Sequence, residues 1–283
     1  MANYTVGTEA AQSVAETFNA EFGLDPTEES VVASVVAQPE TGKFGNALYL
    51  RKLKTATTGT MATSYPGAEL TPTANTDEKV TVSPTFTYAY IRIPDNTLTR
   101  VLHDGAYKAG QRTQLLAAIN EARDSGLFAL AASLSHTTSA ADLDETLFLD
   151  AYGQLHKYAK GKMRTFNGDR AATYLFIHPD EIKNVIKIPA LREYQIRGSA
   201  GSAASGQAAT TYGVTIKESG LVYQSAGSTY NVLMLPDAWA LAHNIKPTLE
   251  DPQRFDLTWK FFAKCEWGAA EWFDSSGVAL ITS

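Results

Sequence analysis

Only one cysteine, Cys265, occurs in the 283 residues, so no internal disulfide can form and a reducing compartment suits the chain. No apolar run approaches the length that a membrane span needs. The first residues lack a basic start followed by an apolar stretch, so no secretory signal is expected. Clusters of Lys and Arg are also missing, which argues against tight binding to nucleic acid. His103, His136, His156, His178 and His243 show no metal-ligand spacing, and Cys265 has no Cys or His nearby. There is no G-x-S-x-G elbow. The small, polar stretch at 198–209 lacks both a P-loop ending and a dinucleotide fingerprint, and reads as a surface loop. The expectation is a chain with no catalytic, cofactor-binding or metal-binding residues.

What remains is an ordinary apolar fraction of 44%, a low charged fraction of 19%, and enough length to bury a sizeable core. The net charge of −6 is unevenly placed. Glu9, Glu16, Glu21, Asp25, Glu28, Glu29 and Glu40 precede the first basic residue, Lys43, so residues 1–42 carry −7. The rest holds 24 basic against 23 acidic residues and is nearly neutral. The first forty residues therefore form an acidic arm, either solvated or lying along a partner subunit. Within it, Ala11, Val14, Phe18 and Phe22 fall at helical spacing over residues 8–22, with Gly23 as a stop. Asp25-Pro26-Thr27-Glu28 is a helix-start pattern, but the SVVASVVA run from Ser30 is β-branched, so helix and strand compete there.

From Asn46 the period becomes two. Leu48 and Leu50 alternate with Ala47 and Tyr49, and alternation returns at Val80, Val82, Phe86, Tyr88 and Tyr90, continuing to Ile91 and Ile93. Between these stretches, residues 55–81 hold nine Thr among 27 residues, with Met61, Tyr65, Leu70 and Val80 as the sizeable apolar groups. A segment with so little to bury cannot offset its ordering entropy alone. It is either disordered or ordered by something outside its own domain, and the flanking strands make it the excursion of a long β-hairpin with Pro66-Gly67 near its middle.

Residues 110–134 predict a helix about 37 Å long, with a stripe at Leu115, Ile119, Ala122, Gly126, Leu130 and Ser133. A second helix is expected from Asp142, with Glu145 at its third position. An α/β rhythm follows. Tyr174–Ile177 is a buried strand, His178-Pro179-Asp180-Glu181 opens a helix through Ile186, and strands are expected around 214–216 and 232–235. Phe255, Leu257, Trp259 and Phe261 alternate, Asp274–Gly277 is a turn, and Val278–Ile281 a last strand.

Two residues invite a chemical reading. His178 ends a buried strand, where a base oriented by Asp180 or Glu181 could sit. The same four residues are also a helix start, with Pro in the first turn and acids at its positive end, and need no substrate. Cys265 lies beside Lys264, but Trp259, Phe261 and Trp267 favour a packed thiol.

The order of parts carries more than any single residue. An acidic arm is followed by a long hairpin, a long helix, a compact α/β region and a strand return at the C-terminus. Its local carriers are Tyr174–Ile186, the strand Gly213–Ser219, and Phe261–Thr282, which contains Glu266-Trp267-Gly268 and Asp274–Gly277. In this order the chain resembles the major capsid proteins of tailed bacteriophages, whose fold is shared with encapsulin shells. The resemblance implies an α+β capsid fold, with arm at 1–41 and extended loop at 42–90. The peripheral domain with its spine helix is implied at 91–138 and 250–283, and the axial domain at 139–249.

It also implies no enzyme. The chain would assemble as hexamers and pentamers into an icosahedral shell around double-stranded DNA, without sequence-specific DNA contact. Portal and separate scaffolding or decoration proteins are the implied partners, with assembly in the host cytoplasm and residence in the virion. Arg51, Lys52 and Lys54 at the hairpin base, Met61, Tyr65 and Leu70 in the loop, and Phe18 and Phe22 in the arm are the implied inter-subunit contacts. An encapsulin shell enclosing a cargo enzyme, and an α/β enzyme centred on His178, are the alternatives.

Overall fold

The computed structural model describes residues 30–38, 47–52, 78–95, 104–159, 172–188, 210–211 and 214–283. The expected arm helix with Phe18 and Phe22, and the loop residues Lys54, Met61, Tyr65 and Leu70, lie outside the described residues.

The strands are β1 (Leu48–Lys52), β2 (Glu78–Val82), β3 (Thr85–Pro94), β4 (Thr137–Ala140), β5 (Thr173–Ile177), β6 (Thr210–Thr211), β7 (Val214–Glu218), β8 (Gln224–Ser225), β9 (Ser228–Met234), β10 (Trp239–Leu249), β11 (Gln253–Phe255), β12 (Thr258–Glu271) and β13 (Gly277–Thr282). The α-helices are α1 (Asp104–Phe128), α2 (Glu145–Ala159) and α3 (Ile182–Lys187).

The alternating residues of β1 and β2 pair antiparallel, from Leu48 opposite Val82 to Lys52 opposite Glu78, so the expected hairpin is present at its root. Its second strand is shorter than the alternation suggested. Pro84, which has no N–H to offer a ladder, separates β2 from β3. β3 then leaves the hairpin and pairs along its whole length with β12. On its other side β12 pairs with β10 and β11, closing a four-stranded sheet. The expected continuous alternation from Phe255 to Phe261 is interrupted by a two-residue turn at Asp256 and Leu257. Asp256 takes a φ of 52°, a region that Asp tolerates.

The second sheet has strand order β4-β13-β9-β5-β7-β6, with β8 on β9. β5 and β7 run parallel, as do β4 and β13, and the pairs β9–β13 and β5–β9 are antiparallel. One face is covered by α2 and α3. Leu147, Phe148, Ala151 and Leu155 pack with Leu175, Ile177, Val214, Leu233 and Leu280. The capping residue of α2 is Asp144, not Asp142, because the Asp144 carboxylate accepts from the Leu147 N–H at 2.8 Å. The other face holds Phe176, Val232, Met234 and Ala279 against the end of α1.

α1 starts earlier than its spacing predicted and ends in a 3-10 turn, Ala129–Ser133. Its buried face is also rotated. Ala122 and Ser133, expected inward, are exposed, and Arg123, Asp124, Leu127 and Phe128 face the core. These two charged residues in mid-helix lie outside the predicted stripe and are buried. The SVVASVVA run becomes neither helix nor strand. Its residues form turns, with Val32, Ala33 and Val36 buried beside Leu127, Phe128 and Trp239. A single parallel bridge joins Ala37 to Ala240.

Candidate functional site

The two faces of the four-stranded sheet are set by the pleat. Side chains alternate, so odd-numbered residues of β12 point to one face and even-numbered ones to the other. Phe261, Ala263 and Cys265 pack with Ile93 of β3 and with Leu115 and Ile119 of α1. Gly126 of α1 lies so close to Trp267 that an added Cβ would stand 2.4 Å from the indole ring. Burial pushes the Cys265 thiol up to about 11, and its Sγ donates to the Ile245 carbonyl, so it is the packed thiol expected from its neighbours.

The start of the described chain is pinned on this α1 face. The Asp124 carboxylate is 1% exposed and accepts from the Val31 N–H at 2.6 Å, the Val32 N–H at 3.3 Å and the Ser30 hydroxyl at 3.1 Å. Arg123 donates to the Ser30 hydroxyl at 2.8 Å and reaches His243 Nε2 at 3.5 Å. Burial first, then the charges of Arg123 and Lys246, push the His243 imidazole down to about 4, so it is neutral near pH 7. Sequence reasoning missed this cluster. Its signal was the adjacent Arg-Asp pair in phase with Leu115, Ile119 and Leu127 on the helix.

The opposite face is open. It carries Phe86, Tyr88 and Tyr90 of β3, which are 50%, 57% and 56% exposed. Tyr88 stacks on Tyr90 at 6.2 Å and on Phe262 of β12 at 6.1 Å between ring centroids. These spacings are ordinary for offset aromatic pairs, yet the outer faces of the rings remain in water. At one end a depression of about 560 Å³ is lined by Tyr90, Arg92, Asp251, Gln253, Lys260 and Phe262, with the Lys264–Glu250 ion pair at its margin. β3 is the outer strand of this sheet. A ten-residue edge strand with an exposed aromatic face is a surface that natural proteins cover.

The hairpin root stands on the same face. Leu48, Leu50, Val80 and Val82 pack on Ala240, Ala242, Ala270 and Trp272. Gly268 makes this approach possible, since an added Cβ would stand 2.6 Å from the Ser83 carbonyl oxygen. The outer side of the hairpin presents Tyr49, Arg51, Lys79 and Thr81. Lys79 Nζ sits 3.4 Å from the Tyr49 ring centroid, and Lys52 Nζ lies 5.8 Å from that of Phe273. Of the sequence-derived contact residues, Arg51 and Lys52 are thus placed at the hairpin root, Arg51 outward and Lys52 toward the body.

At His178, Nδ1 lies 3.2 Å from the Asp180 carboxylate. The same atom faces the Asp180 N–H at 3.3 Å and so caps the following turn. Glu181 accepts from Thr282 at 2.6 Å and from Asn184 at 3.0 Å, and the His178 N–H donates to Asn231. All of these contacts are helix-start and inter-strand contacts. Among the described residues, no group of three or more His, Cys, Asp or Glu could hold a metal ion.

The sequence matches no family model, and no curated protein is similar to it. Solved structures are similar over nearly the whole chain. A structure of Mycobacterium phage Che8 superposes with a TM-score of 0.70 at 17% identity, covering 94% of this chain and 96% of its own. The capsid of Ralstonia phage GP4 gives 0.72 at 10% identity, covering 94% of each. The capsid of cyanophage P-SCSP1u gives 0.71 at 12%, covering 95% of this chain and 92% of its own. At such identities the likeness is one of fold, and it spans both sheets and the long helix. The chain has the α+β fold of tailed-phage capsid proteins.

Proposed function

We propose that this chain is a major capsid protein, assembling in many copies into the icosahedral shell that encloses the double-stranded DNA of a tailed phage. The observation that carries the reading is the whole-chain likeness to several phage capsids. The open aromatic face and the hairpin root beside it supply surface for lateral contacts. Each such contact contributes a modest term, and closure makes them cooperative.

In this reading the four-stranded sheet and α1 form the peripheral part, and the seven-stranded sheet with α2 and α3 the axial part around the capsomer centre, which moves β10 out of the axial range 139–249 and β13 into the axial part. Residues 1–41 are the arm, and the hairpin rooted in β1 and β2 lies across the adjacent subunit, with β3 left in the peripheral sheet. The near-neutral body fits DNA held without sequence-specific contact. A portal and separate scaffolding or decoration proteins complete the shell, which forms in the host cytoplasm and resides in the virion. The chain performs no catalysis.

Electron microscopy of the purified protein tests the reading, with closed particles built from hexamers and pentamers as the expected result. A chain that stays monomeric at every concentration and salt tried would sink it. Replacing residues 55–76 by a short Gly-Ser turn should leave a folded subunit that no longer closes shells. Normal shells from that variant would remove the hairpin from the mechanism.

A further inference from the structure

Two adjacent rows of side chains cross the open face of the four-stranded sheet at its end away from the hairpin root. In one row Tyr90 of β3 stands directly opposite Phe262 of β12. In the next, Arg92 of β3 stands opposite Lys260 of β12, which in turn faces Gln253 of β11. The link from β10 to β11 brings Glu250 and Asp251 to the same place. Its Glu250 N–H donates to the Phe262 carbonyl at 2.9 Å, and Pro252 stiffens it, so both carboxylates are held beside the rings. Both rows and the link line the depression of about 560 Å³, which has the size of a small-ligand site.

The lining sets two chemistries side by side. Tyr90 is 56% exposed, and Tyr88 stacks on both Tyr90 and Phe262. The rings hold one another, so a ligand lying on them finds apolar surface with little side-chain freedom left to lose. The polar row holds a conflict. Arg92 and Lys260 are like charges placed directly opposite, which destabilises a strand pair. Lys264 is neutralised by its ion pair with Glu250. That leaves two cations against the single carboxylate of Asp251, an excess of one positive charge. Among the described residues, the side chains of Arg92, Asp251 and Gln253 make no hydrogen bond or ion pair.

The charge balance selects among ligand classes. A wholly apolar ligand would cover Arg92, Lys260 and Asp251 and leave them desolvated and unpaired. A long polyphosphate needs cations along its whole track, and the carboxylates of Glu250 and Asp251 oppose it. A pyranose ring with one carboxylate suits every group present. Its C–H face lies on an aromatic ring, its hydroxyls donate to Asp251 and bond the Gln253 amide, and its carboxylate accepts from Arg92 and Lys260. We infer that this depression is a binding site for an acidic saccharide of the uronic-acid class. Tyr90 and Phe262 are its stacking surface, Arg92 and Lys260 hold the carboxylate, and Asp251 and Gln253 meet the hydroxyls. Phe262 and Gly268, where the hairpin root approaches, are separated by about 20 Å along β12, so the two features do not overlap.

The site does not rest on the shell reading, and its test is made on unassembled subunits of the full-length protein. Calorimetric titration with trigalacturonate should show saturable binding. The methyl-esterified trimer keeps the rings and hydroxyls without the charge, and should bind roughly tenfold more weakly. Arg92→Gln should abolish this preference for the free acid, whereas Tyr90→Ala should weaken both probes by roughly tenfold. Both positions are exposed, and thermal melts check that each variant is folded. Absence of saturable binding at roughly 10 mM trigalacturonate would overturn the inference. So would equal binding in both variants, or tighter binding of a single-stranded hexathymidylate. None of these results bears on particle formation, which electron microscopy decides separately.

Discussion

The two faces of the four-stranded sheet are made of the same strands and behave oppositely. The α1 face is covered, with Arg123 Nε, His243 Nδ1 and Trp239 Nε1 the atoms buried there without a hydrogen-bond partner. Its apolar groups meet those of α1, and its buried charges are held among themselves, with Asp124 accepting three donors from the arm root. The open face is incomplete. Three large rings stand half in water, and two cations face each other across a ribbon. The first face stabilises the subunit, and the second leaves Phe86, Tyr88 and Tyr90 exposed. A soluble monomer with no partner would have little use for the second arrangement.

The largest expected break in this contrast is Asp124→Ala. It strands the Val31 and Val32 N–H groups and leaves Arg123 buried without its nearest anion. Loss of one member of a buried charge pair costs about 3–5 kcal/mol, and urea unfolding of the subunit should show a loss in that range. An unchanged midpoint would mean that the arm root is not part of the folded unit.

Acid acts on the same face with a slightly smaller effect. The folded-state pKa of His243, about 4, lies below its ordinary value of 6.5, so the unfolded chain takes the proton first. Stability from the neutral imidazole is full above pH 6.5 and is lost as the pH falls toward 4, by on the order of 3 kcal/mol. Replacing His243 by Asn should flatten the subunit's stability profile across that window. The same slope in both proteins would assign acid sensitivity to other groups.

The smallest effect on the subunit belongs to the open face. Tyr88→Ser removes a ring that touches Tyr90 and Phe262 yet is more than half exposed. Subunit stability should change by less than about 1 kcal/mol. Assembly should weaken clearly, as seen by light scattering against subunit concentration. A large loss in subunit stability with normal assembly would reverse the assignment of the two faces.

Strands with one wet face were legible in the sequence, because their alternation survives. The hairpin root and β3 are of this kind, as is the helix start at His178, where each residue type has a local reason. β10 was not legible. Its first five residues, Trp239 to His243, are buried on both faces, one by α1 and the arm root and the other by the hairpin, so no period marks it. The rotation of α1 was hidden for a related reason. Arg123 and Asp124 lie outside the apolar stripe that the spacing marks, and the partners of Arg123 lie 93 and 120 residues away.

By itself the sequence determined the local periods, the uneven charge and the order of parts, because each depends on neighbours a few residues apart. Only the tertiary structure decided which side of the sheet each part uses. A strand's alternation says that its two faces differ and not which face a distant helix or hairpin will cover. That choice rests on packing such as Gly126 under Trp267 and Gly268 under Ser83, where the missing Cβ admits the approach. It places the arm root and the hairpin root on opposite faces of one sheet, a relation that no stretch of the chain shows alone.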